Sequence, residues 1–325
     1  MEYVKLGNTG MEVSKLCLGC MGFGEPERGR EKWSIGEAES REVIKKALDS
    51  GINFFDTANL YSAGSSEEIV GKALKDFANR DEIVLASKLY FPMFDGPNAK
   101  GLSRKSIFAE IDHSLKRLQT DYLDLYIIHR WDYGTPIEET MEALHDLVKM
   151  GKVRYIGASS MHAWQFAKAQ FIAEKNGWTK FVSMQNLYNL LYREEEREMI
   201  PLLQDRKVAM TPWSPLAGGR LTRDIGAVTA RTSQAVQADL PAYIVASDNE
   251  VISRVHKLAD ERGITRGQVA TAWMLSKDYV TAPLIGATKV NYLDDALGAF
   301  EVALSAEEIK YLEEAYVPRN ITGYR

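Results

Sequence analysis

Cysteine is almost missing from this chain. Two occur among 325 residues, Cys17 and Cys20 in "CLGC". No second Cys/His cluster stands elsewhere to complete a metal or redox site, so both read as reduced residues on or near a strand. Long apolar runs are missing too. None approaches the roughly 18 residues of a membrane helix, and the opening "MEYVKLGNTG" has no basic stretch followed by an apolar core. No membrane partner and a cytoplasmic location are the default expectations. Charge of one sign is also lacking: 40 Lys and Arg against 45 Asp and Glu leave a formal net charge of -5, too mild an imbalance to suggest nucleic acid. No Pro/Ser-rich linker, low-complexity tract or charge block divides the sequence, so residues 1–325 are assigned to one domain. The absence of HExxH, of a Ser/His/Asp order and of GxGxxG in a strand-turn-helix context removes zinc proteases, serine hydrolases and Rossmann dinucleotide folds.

What the chain has instead is alternation. After a hairpin, in which Gly7-Asn8-Thr9-Gly10 turns between "EYVKL" and "MEVSK", short apolar runs are each followed by a helix. The runs are "KLCLG" at 15–19, "NFFDT" at 53–57, "IVLASK" at 83–88, "LDLYIIH" at 123–129, "VRYIGAS" at 153–159, "FVSMQ" at 181–185, "VAMTPWS" at 208–214 and "APLIGA" at 282–287. Between them, Ser65 with Glu68 and Thr135-Pro136 with Glu138 predict capping boxes, and Gly151 predicts a helix end. In "RKSIFAEIDHSLKRL" the spacing of Ile107, Ile111, Leu115 and Leu118 predicts one buried helix face. Eight β units, each too apolar for an exposed sheet, fit a closed (β/α)8 TIM barrel better than an open doubly wound sheet. The stretch from Ala217 to about Asp248 has little periodicity and is expected to be a long loop after the seventh strand.

In such a barrel, catalytic residues sit at the carboxyl ends of the strands. The second run ends on Asp56, with Tyr61 in its loop; the third ends on Lys88 and the fourth on His129. A carboxylate at a strand end is costly to bury without a partner, and Lys88 supplies one. A phenol is a poor proton donor at neutral pH, and a nearby ammonium is expected to lower its pKa. The set reads as a site that gives a proton to an oxygen, with His129 orienting or polarising a carbonyl. Taken singly, an Asp–Lys pair or a loop Tyr is more often structural; joint placement at successive strand ends is what points to chemistry. "GCMGFG" at 19–24 reads as a loop passing close to a ligand, which makes Gly19, Cys20 and Met21 candidate contacts. His113, His145 and His256 fall in helices and are expected to be solvated or satisfied there, while His162 lies just beyond a strand end, in reach of the rim.

These residues resemble the aldo-keto reductases, NAD(P)H-dependent enzymes on a (β/α)8 barrel. The similarity runs from "KLGNTGMEVSKLCLG" through "GINFFDTANLYSAGSSEEIVGKAL" to "IGATKVNYLDDALGAF", and Asp56, Tyr61, Lys88 and His129 match the family's catalytic tetrad in type and order. The resemblance implies NADPH as cofactor, with NADH less favoured. Asp56 would contact the cofactor, Ser159 and Gln185 would hold the nicotinamide carboxamide, with Ser160 beside them where many relatives have Asn, and Trp213 would stack on the nicotinamide ring. Ser214, Pro215, Leu216, Gly218 and Arg220 would lie along the pyrophosphate, in the long cofactor-binding loop after strand seven. Gly286, Thr288 and Lys289 would meet the adenosine ribose and its 2′-phosphate, and Asp295 the adenine. Tyr292 and Ala296 stand where many relatives have Arg and Asn.

The implied reaction is carbonyl reduction, with Tyr61 as general acid and a small aldehyde or ketone as partner. Trp33, Tyr90, Phe91, Trp131 and Tyr133 are candidates for an apolar substrate slot, and Arg130 for an anion. Within the family, "HRWDY" with "TPIEET" and "RYIGASSMHA" resemble a bacterial branch, one member of which is linked to 1-deoxyxylulose 5-phosphate. A second reading comes from barrels that act as NADPH-binding β subunits of potassium channels; a long N-terminal extension marks some of those, and none is visible here. A third, an inactive sugar-binding barrel, would need a tetrad member lost, and all four are present.

Overall fold

The computed structural model describes residues 1–227 and 245–324, and the rest of the expected loop after strand seven lies outside them. An N-terminal antiparallel hairpin, β1 (Tyr3–Lys5) and β2 (Glu12–Ser14), precedes eight parallel strands. These are β3 (Cys17–Gly19), β4 (Phe54–Asp56), β5 (Val84–Leu89), β6 (Leu123–Ile128), β7 (Val153–Ser159), β8 (Phe181–Gln185), β9 (Ala209–Met210) and β10 (Leu284–Gly286). From β3 to β9 each pairs with the next, and β10 pairs with β3. Leu284 N–H donates to Pro212 O at 2.9 Å and Thr281 N–H to Met210 O at 2.8 Å, joining the two ends of the sheet. The eight runs read from the sequence are these eight strands. The run at 208–214 pairs over only two residues, because Pro212 has no N–H to donate; Trp213 N–H still reaches Asn186 O at 2.9 Å.

Helices cover the outside: α1 (Glu37–Asp49), α2 (Ser65–Phe77), α3 (Arg104–Leu118), α4 (Ile137–Lys149), α5 (Ala163–Asn176) and α6 (Met199–Arg206) each precede the next strand. Then come α7 (Asp248–Arg262) and α8 (Arg266–Leu275) before β10, and α9 (Val290–Gly298) and α10 (Ala306–Glu313) after it. Strand alternation sorts the core into two layers. Cys17, Phe54, Val84, Ala86, Leu125 and Ile127 pack inside the barrel, where Leu6 and Val13 of the hairpin plug the amino-terminal end. Leu18, Phe55, Leu85, Tyr126 and Ile128 face the helices. Both cysteines are buried and unbonded.

Two predicted capping boxes do not form. The N-cap of α2 is Gly64 at φ +91°; Ser65 Oγ instead accepts from Glu25 N at 2.9 Å and donates to Ser62 O at 2.8 Å, serving the neighbouring loop. At α4 the helix starts one residue late, after Pro136, and Thr135 donates to Asp132 Oδ2 at 2.8 Å. Helix α3 spans the predicted residues, with Ile107, Ile111 and Leu118 buried. Among the described residues no helix is long and apolar enough to cross a membrane.

Candidate active site

Strand parity places the site. Asp56 shares the inward face of β4 with Phe54, and Lys88 that of β5 with Val84 and Ala86, so both point up the barrel axis at its carboxyl end. Lys88 is fully buried and ion-paired with Asp56. Its Nζ also donates to Thr57 O at 2.8 Å and to the Tyr61 phenol oxygen at 3.2 Å. Burial opposes the charge on Lys88, but Asp56 and Tyr61 outweigh it and push its pKa up to about 12, so the ammonium stays charged. Asp56 Oδ2 in turn accepts from Gln185 Nε2 at 2.9 Å.

Tyr61 is aimed by a strained turn. Ser62 and Ala63 follow it at φ +44° and +50°, in the left-handed region. The turn is clamped by the β3–α1 loop, where the buried Glu31 accepts from Ser62 N at 3.1 Å. The expected lowering of the Tyr61 pKa does not hold: burial pushes the phenol above its ordinary value, and the opposing pull of Lys88 is smaller. The side chain is therefore a protonated phenol across the neutral range. His129 follows β6, held by its N–H to Leu89 O at 2.9 Å. Its ring meets Tyr61 and Phe91 edge-on, with centroids 5.8 Å and 5.1 Å apart. Burial, then the charges of Lys88 and Arg130, hold the imidazole well below its usual pKa, so it is neutral. Its buried Nδ1 has no hydrogen-bond partner among the described residues.

A cavity of about 1710 Å³ opens over these groups. It exceeds the range of roughly 300–1,000 Å³ usual for a small ligand alone. Asp56, Tyr61 and His129 form part of its wall with Gly19, Met21, Ser159, Gln185 and Trp213. Further wall comes from Ser214, Pro215, Leu216 and Gly218, and from Gly286, Thr288, Lys289 and Asp295. Of the aromatic candidates, Trp33, Phe91 and Tyr133 line it, as does Arg130.

Other expected contacts lie elsewhere. Arg220 turns away from the cavity and donates to the buried Asp248 at 2.7 Å, while Arg223 lines the wall. Cys20 and Ser160 are buried behind the surface; Ser160, at φ +50°, accepts from Trp213 Nε1 at 3.1 Å through Oγ. Trp131 packs toward Trp164 of α5, with ring centroids 6.1 Å apart, and Tyr90 edge-on against Phe91. His162 caps α5 and lines the rim.

The cavity also takes residues that sequence reasoning did not single out. Arg266, Gly267 and Thr271 of α8 face it, as do Ile321 to Tyr324 of the C-terminal tail. The α8 residues carry a usable signal, since Thr265 with Gln268 is a capping box that fixes a helix start beside the barrel mouth.

Residues 15–317 match the profile of the Aldo/keto reductase family. Versiconal hemiacetal acetate reductase of Aspergillus parasiticus is 46% identical, over 99% of this chain and 98% of that protein. Aldo-keto reductase AFTS1 of Alternaria alternata is 44% identical over 99% and 93%, and aldo-keto reductase dtxS3 of Metarhizium robertsii 41% over 100% and 93%. These relatives are fungal, and the expected bacterial, deoxyxylulose-linked branch finds no support among them. A profile match over most of the chain, with relatives of this identity along its full length, places the protein in the aldo/keto reductase family.

Proposed function

We propose that the protein is an NADPH-dependent carbonyl reductase in which Tyr61 is the general acid. The observation that carries this reading is the hydrogen bond from Lys88 Nζ to the Tyr61 phenol oxygen at the cavity wall. Because the oxygen accepts from Lys88, its own hydrogen is left to point at a ligand. The residues fit a dinucleotide: the cavity is large enough for one with a substrate, and Lys289 and Arg266 bring cations to it. Thr271, on the same wall, keeps a buried hydroxyl without a partner among the described residues. When bound, the nicotinamide supplies a hydride. The chain's own part is to hold the carbonyl against Tyr61 and the neutral His129, and to deliver the phenol proton to its oxygen. Positive charge on Lys88 stabilises the phenolate left behind, and Asp56 keeps that ammonium in place.

Substrate class follows from the aromatic walls and the relatives. Trp33, Phe91 and Tyr133 offer apolar surface to a bulky carbonyl compound. One relative is named for reducing a hemiacetal acetate, and a hemiacetal is a masked aldehyde, so aromatic and bulky aldehydes are the first class to try. Consumption of NADPH by the purified protein with nitrobenzaldehyde tests the reading, with Tyr61→Phe in parallel. The variant is expected to lose about 10²–10⁴-fold in turnover at unchanged NADPH affinity; turnover retained in Tyr61→Phe overturns the assignment.

A further inference from the structure

The C-terminal tail reaches back to the cavity through a buried carboxylate that the chemistry above does not use. Glu195, 2% exposed, accepts hydrogen bonds from the phenol of Tyr324 and from Asn186 Nδ2. Asn186 is fully buried, and its Oδ1 accepts from Ser160 N at 3.2 Å. Ser160 Oγ takes the indole N–H of Trp213 and lies 3.1 Å from Ser159 Oγ. On the cavity side, the Tyr324 ring meets His162 edge-on at 4.8 Å. Gly323, at φ +85°, brings the tail so close to Trp213 that a Cβ there would lie 3.5 Å from Cζ2. Trp213 is thus fixed from two sides, by Ser160 and by the tail, and both supports converge on Glu195.

We propose that Glu195 is a positioning residue of the cofactor pocket, joining the C-terminal tail at Tyr324 to the Asn186–Ser160–Trp213 wall so that the two close as one unit. The inference rests on the reading of that wall as the nicotinamide side of a dinucleotide site. A buried carboxylate needs donors, and here its donors are a residue of the C-terminal tail and a wall residue 138 positions apart. Asn186 Nδ2 also donates to the Tyr324 phenol oxygen at 3.3 Å, and Glu195 accepts from both, so tail and wall share one buried acceptor. Burial pushes the Glu195 carboxyl up to about 7, with Tyr324 and Asn186 acting in the opposite direction, so the comparison belongs at about pH 8, where the carboxylate is ionised.

The test is a double-variant cycle on NADPH affinity, read by quenching of tryptophan fluorescence in the full chain. Glu195→Gln and Tyr324→Phe are each expected to raise the NADPH Kd about fivefold, and the double variant also about fivefold rather than about 25-fold, because both remove one link. Additive losses overturn the proposal, and so does wild-type affinity in Tyr324→Phe, which removes one hydroxyl and keeps the test decisive if Glu195→Gln does not fold. A wild-type protein that binds no NADPH overturns the cofactor reading itself. Wild-type binding with unaffected single variants overturns only the role of Glu195.

Discussion

The ammonium of Lys88 stands 3.2 Å from the phenol oxygen of Tyr61 while it is ion-paired with Asp56, and none of the three is more than 9% exposed. One cation thus serves a buried carboxylate and a phenol at the cavity wall. A buried pair of this kind is a weak source of stability but a strong liability when halved, since the remaining charge is left without compensation.

Lys88→Met is therefore expected to destabilise the fold by about 3–5 kcal/mol in urea melts, because among the described residues the Asp56 carboxylate then keeps Gln185 alone as a side-chain donor. Adding Asp56→Asn should restore much of that stability and none of the turnover, since the phenol still lacks its cation. Unchanged stability in the single variant would show that the pair is not desolvated as the fold implies.

The pH dependence follows from the two ring groups. Burial, against the smaller pull of Lys88, raises the Tyr61 pKa above its ordinary value of about 10, so the acid form persists through the neutral range and is lost only as pH rises past that raised value. His129 is held well below about 6.5 by burial and by Lys88 and Arg130, so it stays neutral until pH falls well under that value. At saturating NADPH, kcat/KM for carbonyl reduction should be flat from about pH 6.5 to about pH 9. A fall centred between those limits would assign the acid to another group.

Much of this site is legible in the sequence because strand alternation is a local rule. Phe54 buried inward dictates that Asp56 is inward, and Ala86 does the same for Lys88. Loops obey no such rule. Arg220 and Arg223 are three residues apart, yet the first donates to Asp248 and the second lines the cavity. Ser65 carries a capping signal, but the incoming loop at Glu25 offers its hydroxyl a tertiary partner instead. Contacts as distant as Glu195 with Tyr324 leave no periodic trace at all.

Steric crowding behind Tyr61 gives a further prediction. A Cβ on Gly29 would lie 2.3 Å from Ser62 Cα and 2.9 Å from Ser62 C, so Gly29→Ala must displace the strained turn that aims the phenol. Misplacement of about 1 Å costs on the order of 10²-fold, and kcat should fall by about that factor at constant NADPH affinity. Gly10→Ala, which meets nothing within 4 Å, is the control; equal activity in the two variants would show that the turn does not set the position of Tyr61.

On the proposed reading, cofactor choice turns on the cations of the α8–α9 wall. Lys289 lies at the N-cap of α9 and lines the cavity, and Arg266 lines it while paired with Asp224 at 2.7 Å. An ammonium is a point charge suited to a phosphate, and only NADPH carries one at the 2′ position. Lys289→Ala should raise the NADPH Kd about tenfold and leave the NADH Kd unchanged, with the difference shrinking at high salt because the wall is open to solvent. Arg266→Ala should act in the same direction but less, since its charge is already partly balanced by Asp224. Equal effects of Lys289→Ala on the two dinucleotides would mean that the lysine contacts the pyrophosphate or the ribose they share, and that the preference for NADPH has another source.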